Sequence, residues 1–183
     1  MIAAARATLK EQGYAGTTTR AIAQRGGFNQ ALIFYHFGGV HQLLIAALDA
    51  AAAERLARYR EQLAAAPTVE AKIAAAARLY REDVEGDHIT VVSELVAASL
   101  AEPVLAAAVT ARMQPWLDFV EETFRDLVAG TALEQLVPVR ESAFALVALY
   151  LGLNLLSRLD PELPVDPLFD LMRTLAPLLE PQA

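Results

Sequence analysis

Alanine and leucine dominate this chain and constrain its fold more than any other feature. Of its 183 residues, 37 are alanine and 28 are leucine, and both residue types favour the α-helix. Glycine and proline interrupt the sequence at helical intervals, and no segment shows the apolar–polar alternation of a β-strand. The sequence therefore predicts an all-α fold of about nine helices.

The charge of the chain changes sign along its length. The formal net charge is −7, which by itself argues against binding the phosphates of nucleic acid. Residues 1–48, however, carry +3, and residues 49–183 carry −10. The positive charge comes from four basic residues against Glu11 alone: Arg6, Lys10, Arg20 and Arg25. The N-terminal segment is therefore weakly basic, and the acidic total describes the rest of the chain.

Several classes of function are excluded by what the sequence lacks. Because there is no cysteine, disulfides, zinc ribbons and thiol catalysis are ruled out, and the three histidines lack the spacing of metal ligands. We expect no enzymatic activity and no cofactor. The longest uncharged apolar run, residues 143–156, has 14 residues, fewer than the roughly 18–20 of a membrane span. No secretory signal precedes the first helix, so we expect a cytoplasmic protein without a membrane partner.

Two short predicted helices near the N-terminus have the dimensions of a helix-turn-helix. They span residues 17–25 and 29–37, and the sequence Gly26-Gly27-Phe28 forms the turn between them. In such a unit the second helix shows one face to the core and the other to the major groove of DNA.

Helical periodicity predicts which side chains of the second helix face outward. Ile33 and Phe37 face the core together with Ile22, so that the opposite face carries Ala31, Leu32 and Tyr35. An outward tyrosine beside a leucine needs a cover, such as thymine methyl groups or the sugar–phosphate wall of DNA.

A set of residues at fixed spacing gives the most specific signal: Gly13-Tyr14, Thr17-Thr18, Arg20, Ile22-Ala23, Gly27-Phe28-Asn29-Gln30, Ile33-Phe34-Tyr35-His36-Phe37 and Leu43-Leu44. The set covers about residues 2–45 and resembles the N-terminal domain of the TetR family of bacterial transcriptional repressors. The resemblance implies a helix-turn-helix DNA-binding domain over residues 1–45 and a helical ligand-binding and dimerisation domain over residues 46–183.

The resemblance also implies which residues contact DNA. Gln30 matches a residue that reads a base edge, which an amide can do with adenine, and His36 matches a position that meets a phosphate. The start of the second helix matches a phosphate-binding segment. The implied DNA-binding residues are Thr17, Thr18, Arg20, Asn29, Gln30, Ala31, Tyr35 and His36.

Three departures from the family pattern bear on DNA binding. Phe34 stands where the family usually has tyrosine, Val40 stands where a lysine is usual, and no basic arm precedes the first helix. We therefore expect DNA binding that is weaker or more salt-sensitive than is typical of the family. The alternative interpretation is a helical small-molecule-binding or interaction protein whose DNA-binding end is degenerate.

Two C-terminal segments predict a homodimer. The predicted helix over residues 139–159 is apolar on all sides, so a second subunit must cover one of its faces. A further helix over residues 166–179 adds apolar residues, and the resemblance implies the same two-helix dimer face. The predicted interface residues are Phe144, Val147, Leu151, Leu155, Leu168, Leu171, Met172 and Leu175.

The most aromatic stretch of the acidic body, around Pro115, is the candidate effector site. A mainly apolar cavity with a few polar groups would suit a small molecule, although an aromatic stripe at helical spacing also suits plain core. A buried Asn154 would need a partner: a ligand, the symmetry-related asparagine or a backbone carbonyl. The candidate ligand-binding residues are Tyr80, Met113, Trp116, Phe119, Tyr150 and Asn154.

Together these patterns predict a one-component transcriptional regulator of the repressor type. It would bind a palindromic double-stranded operator as a homodimer, and a small apolar or amphipathic effector would release it.

Overall fold

The fold consists of helices. The computed structural model describes residues 1–86, 88–160, 162–163 and 165–179, and within them it has nine α-helices, one short 3₁₀-helix and no strand. The predicted all-α class is therefore confirmed. The helices are α1 Ile2–Gly16, α2 Thr19–Gly26, α3 Ala31–Phe37, α4 Val40–Ala64, α5 Val69–Glu85, α6 His88–Ser99, α7 Pro103–Val128, α8 Val139–Leu159 and α9 Val165–Leu175, followed by the 3₁₀-helix Ala176–Leu179.

Capping residues set the helix ends of the predicted helix-turn-helix. Thr18 precedes α2, and its hydroxyl accepts a hydrogen bond of 3.1 Å from the backbone N–H of Ala21, as a threonine N-cap does. Gly27 ends the same helix in a left-handed conformation with a φ of +67°, which glycine adopts without steric cost. Helices α2 and α3 begin two residues later than the sequence predicts, and α8 has the predicted bounds.

The chain divides into two compact units. The first unit combines Met1–Arg55 with Asp83–Arg112, and the second combines Leu56–Glu82 with Met113–Ala183. Each unit therefore joins two separate stretches of sequence. The functional boundary at residue 45 remains a prediction, because compactness alone does not assign a function to either side of it.

The core of the first unit holds α1 against α2 and α6. It is built from aliphatic side chains that exclude water almost completely, which is the dominant stabilising contribution in a small helical unit. The fully buried members are Ala5, Leu9, Ile22, Ile33, Leu43, Leu44, Ala47, Ile89, Val91 and Leu95.

A kink at Gly13 divides α1. Gly13 has a φ of +65° and a ψ of 179°, a combination open to glycine but strained for other residues. The following N–H, of Tyr14, donates a 2.8 Å hydrogen bond to the Glu94 carboxylate of α6. The kink therefore turns a backbone donor towards a helix that lies 80 residues later in the sequence.

The substitution Gly13→Ala should destabilise the protein more than Gly130→Ala does. Both glycines have positive φ, +65° and +72°, but an added Cβ meets the Glu94 carboxylate at 3.3 Å only at Gly13 and meets nothing within 4 Å at Gly130. We expect Gly130→Ala to cost about 1 kcal/mol through strain, and Gly13→Ala to cost about 1 kcal/mol more by displacing a hydrogen-bonded carboxylate. Urea unfolding followed by circular dichroism measures both, and equal losses would contradict the role given to Glu94.

Candidate nucleic-acid interface and effector site

Helix α3 buries Ile33, half-buries Phe37 and presents its other side chains to solvent. Ile33 is fully buried, whereas Leu32, Phe34 and Tyr35 are 40%, 55% and 82% exposed. Ala31 is also exposed. The predicted inward position of Ile33 and the predicted outward face are therefore confirmed, and α3 carries an uncovered apolar surface.

The turn before α3 places an amide at its start. The Asn29 side-chain oxygen accepts a 2.9 Å hydrogen bond from the backbone N–H of Ala31, so Asn29 holds the turn. Gln30 is exposed, occupies the N-cap position and makes no capping hydrogen bond with its side chain. The Gln30 amide thus projects beside the exposed face of α3, where it can meet a base edge.

Two of the three predicted residues at the start of α2 face solvent. Thr18 and Arg20 are exposed. Thr17 is only 5% exposed, and its hydroxyl donates a 2.6 Å hydrogen bond to the carbonyl of Gly13. The Thr17 side chain therefore supports the kink of α1, and only Thr18 and Arg20 offer side chains to a phosphate at this point.

Positive charge on this surface is sparse. Among the described residues, Arg25 forms an ion pair with Glu11, and no ion pair is seen for the exposed Arg20. Helix α3 contains neither lysine nor arginine, and the ring of its His36 packs edge-on against Tyr35 with centroids 4.9 Å apart. Phosphate contacts therefore depend on few cations.

A polar cluster joins the end of α1 to α4, α6 and the start of α7. The hydroxyl of Tyr14 donates to the Glu102 carboxylate at 3.2 Å, and His41 Nε2 lies 3.6 Å from the same carboxylate. The rings of Tyr14 and His41 stack with centroids 6.2 Å apart. Burial, and then the neighbouring Glu102 carboxylate, raise the pKa of Tyr14 above 10.0, so at neutral pH its hydroxyl is protonated and acts as a donor.

The predicted effector residues fall into two clusters in the second unit. In the first cluster, Trp116 packs edge-on against Tyr59 and Phe119, with ring centroids 5.3 and 6.3 Å apart. Phe119, Tyr59 and Leu79 form a buried core. Met113 is half-buried on the same helix as Trp116.

The second cluster surrounds a buried tyrosine and a buried amide. Tyr80 is 4% exposed; its hydroxyl lies 2.8 Å from the Ser157 hydroxyl, and its ring meets those of Tyr150 and Phe169. Asn154 is 1% exposed and donates a 2.7 Å hydrogen bond to the carbonyl of Tyr150. Its side-chain oxygen has no hydrogen-bond partner. A backbone carbonyl, one of the three partners predicted for Asn154, therefore binds its amide N–H group.

A groove of about 310 Å³ lies between α7 and α8. None of the six predicted effector residues lines it; the lining residues are Gln114, Leu117, Glu121, Arg140, Glu141, Ala143 and Phe144. Among the described residues no group of three or more acidic or histidine side chains could hold a metal ion.

Helices α8 and α9 expose a large apolar surface. Among the predicted interface residues, Phe144, Leu155, Leu171 and Leu175 are 65%, 54%, 54% and 47% exposed, and Val147, Leu151, Leu168 and Met172 are half-buried. Three further leucines that the prediction left out are also exposed: Leu149, Leu156 and Leu159. The exposed face of α8 therefore includes leucines beyond the predicted interface residues, while Ala143 and Asn154 lie on its buried side.

One segment of α8 combines this apolar character with the length of a membrane span. Among the described helices, Val139–Ser157 is long and apolar enough to cross a membrane, and 11% of it is buried. It is longer than the uncharged run considered in the sequence because it includes Arg140 and Glu141. The exposed apolar face of this segment must be covered, by another protein surface in water or by lipid in a membrane.

Comparison with known proteins identifies the class of the N-terminal segment. Residues 1–47 match the model of the bacterial regulatory proteins, tetR family, and they contain the helix-turn-helix and the exposed face of α3. None of the curated protein sequences matches this chain.

Solved structures share the fold along almost the whole chain. The fatty acid degradation regulator FadR from Bacillus halodurans has 17% identity and a TM-score of 0.79 over 96% of this chain and 91% of its own. FadR from Bacillus subtilis, solved in complex with stearoyl-CoA, has 16% identity and a TM-score of 0.76 over 100% and 97%. A TetR transcriptional regulator from Legionella pneumophila has 16% identity and a TM-score of 0.71 over 96% and 92%.

The predicted resemblance to the TetR family is thereby confirmed. The N-terminal match and the shared fold support a transcriptional regulator of the TetR type, and the matched segment contains the helix-turn-helix.

Proposed function

We propose that this protein is a homodimeric transcriptional repressor that binds a palindromic operator and leaves it when a small apolar or amphipathic molecule binds. Residues 1–45 would bind DNA, and residues 46–183 would bind the effector and the second subunit. The regulator would act in the cytoplasm and carry out no catalysis. The observation that carries the proposal is the exposed face of α3, which lies within the segment that matches the family.

The DNA-binding part rests on side chains that no other element covers. Gln30 is exposed just before α3, and Tyr35 is exposed within that helix. Thr18 and Arg20 are exposed at the start of α2. The face of α3 would enter the major groove, and the start of α2 would contact the backbone. Asn29 contributes by holding the turn, and His36 is exposed at the far end of α3.

The homodimer rests on the apolar surface of α8 and α9. Six leucines and one phenylalanine on these helices are more than 40% exposed, a surface that a monomer in water would not keep uncovered. A second copy covers it economically, since a two-fold axis places the same apolar face on both sides. A dimer also suits DNA recognition, because a seven-residue helix reads few base pairs.

A second copy explains the apolar face of α8 better than a lipid bilayer does. The segment carries Arg140 and Glu141 near its start, and its inner side holds the buried Asn154. The fold is shared with DNA-binding regulators, so a protein partner is the cover that fits the rest of the molecule.

The effector part rests on the two aromatic clusters and on one unsatisfied amide oxygen. A buried amide oxygen without a donor is costly, and a ligand or water that donates to Asn154 would remove that cost. The same fold holds stearoyl-CoA in the Bacillus subtilis regulator, which supports an amphipathic effector with a long apolar part.

The coupling between effector and DNA would use α4 and the polar cluster of the first unit. Helix α4 contributes residues to both units. The Glu94–Tyr14 and Glu102–Tyr14 hydrogen bonds tie α6 and α7 to the segment just before the helix-turn-helix. Two arrangements of these helices with different effector affinity would suffice for release.

Selection from a random duplex pool should enrich a two-fold symmetric sequence. The Gln30→Ala variant should then lose about 1–3 kcal/mol of discrimination at one base position of each half-site. Arg20→Ala should weaken binding to all sequences and reduce the slope of log K against log salt by about 1. The control is Arg125→Ala, which removes a cation from α7 that pairs with Glu121 and should change neither quantity. A pool that never enriches a palindrome would rule out the repressor.

The dimer should depend on the apolar face of α8. Leu155→Glu should raise the dimer dissociation constant by about 100-fold or more, because a carboxylate would be buried without a partner. Leu100→Glu is the matched control, since Leu100 is 88% exposed at the end of α6 and lies off the proposed face. Sedimentation equilibrium measures both. A monomeric wild-type protein at micromolar concentration, or a dimer indifferent to Leu155→Glu, would contradict the proposed interface.

Binding of an amphipathic effector should change the fluorescence of Trp116 and release the protein from DNA. Trp116 is the single tryptophan, and it packs in the first aromatic cluster. Stearoyl-CoA and stearic acid are the probes, and coenzyme A without the acyl chain is the control. We expect the acyl compounds to change Trp116 emission and to lower the fluorescence anisotropy of labelled operator, while coenzyme A does neither. Unchanged emission and undiminished DNA binding with both acyl compounds would contradict an acyl effector.

A further inference from the structure

We propose that α3 reads its operator through thymine methyl groups, with Leu32 and Tyr35 as the side chains that contact them. The inference rests on the proposed DNA-binding function and names the chemistry by which the sequence is read. Two parts of DNA could contact the outward face of α3: thymine methyl groups or the sugar–phosphate wall. We choose the methyl groups.

The first observation is the composition of the exposed face. Leu32 and Tyr35 are three residues apart and are therefore neighbours on the helix surface; Tyr35 lies opposite the fully buried Ile33, and Leu32 lies about 100° from it. The small Ala31, one turn before Tyr35, lies on the same side and is exposed. This arrangement leaves a shallow apolar surface between Leu32 and Tyr35 that can approach the floor of a groove closely.

The second observation is the scarcity of hydrogen-bonding groups on α3. The helix has the sequence ALIFYHF, so its polar side-chain groups are the Tyr35 hydroxyl and the His36 imidazole. Just before the helix lie two amides: Asn29, whose oxygen accepts from the N–H of Ala31, and Gln30, whose side chain makes no capping hydrogen bond. Reading of guanine by arginine or lysine is unavailable to this helix, because it carries neither residue.

Thymine is the base that an apolar face can distinguish. In the major groove each base pair presents a different pattern, and only thymine offers a methyl group. Burying one methyl group against Leu32 or Tyr35 changes affinity by about fourfold. An apolar face therefore gives sequence preference without a charged or amide side chain.

Phe34 lies on a different side of α3 from Leu32. One hundred degrees per residue puts it about 160° from Leu32 and about 100° from Tyr35, on the flank of α3 opposite Leu32, and it is 55% exposed. A ring at the flank meets the sugar–phosphate wall, which is the same for every sequence. Phe34 therefore serves as a matched control: an exposed apolar side chain of the same helix that should not read thymine.

The test replaces thymine with deoxyuridine, which removes only the methyl group. In a duplex enriched by selection, each thymine is replaced singly, and affinity is measured by fluorescence anisotropy at constant salt. We expect about a fourfold loss for wild-type protein at each contacted thymine. Leu32→Ala and Tyr35→Ala should each abolish that loss at one position per half-site. Phe34→Ala and Arg20→Ala should weaken binding to the thymine duplex and to the deoxyuridine duplex equally. The fourfold ratio between the two affinities should therefore stay the same.

Two results would overturn the inference and leave the proposed function intact. One is tight, selective binding that is unchanged by deoxyuridine at every position. The other is a deoxyuridine effect that persists undiminished in Leu32→Ala and Tyr35→Ala, since the methyl group would then act through DNA shape. Failure to select any duplex sequence would overturn the proposed function itself.

Discussion

The complete burial of Ile33 is the constraint on which the DNA-binding surface depends. Helix α3 has only seven residues, so one buried side chain sets the direction of all the others. With Ile33 at 0% exposure, Tyr35 reaches 82% and Leu32 40%. The start of the helix is held by Asn29, and the preceding helix is held by the capping Thr18. Packing and capping thus prepare a rigid face before any partner arrives, and such preorganisation lowers the cost of binding.

Two apolar surfaces are exposed, one on α3 and one on α8 and α9. We propose a different partner for each. The surface on α3 is small and lies in a weakly basic segment, and the proposed partner for it is a groove of DNA. The surface on α8 and α9 is larger and lies in the acidic part of the chain, and the proposed partner for it is a second copy. The net charge of −7 is compatible with both, because the first 48 residues carry +3 and the remainder carries −10. Few cations on the reading surface, with Arg25 paired to Glu11, make apolar contacts a larger part of DNA binding.

The structural features that depend on local sequence could be predicted. Threonine caps and glycine turns placed the helix ends within about two residues around the helix-turn-helix, and a 3.6-residue period placed Ile33 inside and Tyr35 outside. Long-range contacts could not be predicted. The hydrogen bond from Tyr14 to Glu94 joins residues 80 apart, and the burial of the Thr17 hydroxyl follows from the kink at Gly13. Exposure on α8 extends beyond the predicted interface residues to Leu149, Leu156 and Leu159. Because that helix is apolar all round, periodicity alone cannot tell its inner side from its outer side.

The proposed recognition of DNA requires two copies of α3 to enter one operator. Hydroxyl-radical footprinting of the protein on a selected duplex tests this directly. We predict two protected patches, related by two-fold symmetry and separated by about 10–10.5 base pairs, because a symmetric dimer places its recognition helices about one helical turn apart. A single protected patch, or two patches of the same orientation, would contradict the account.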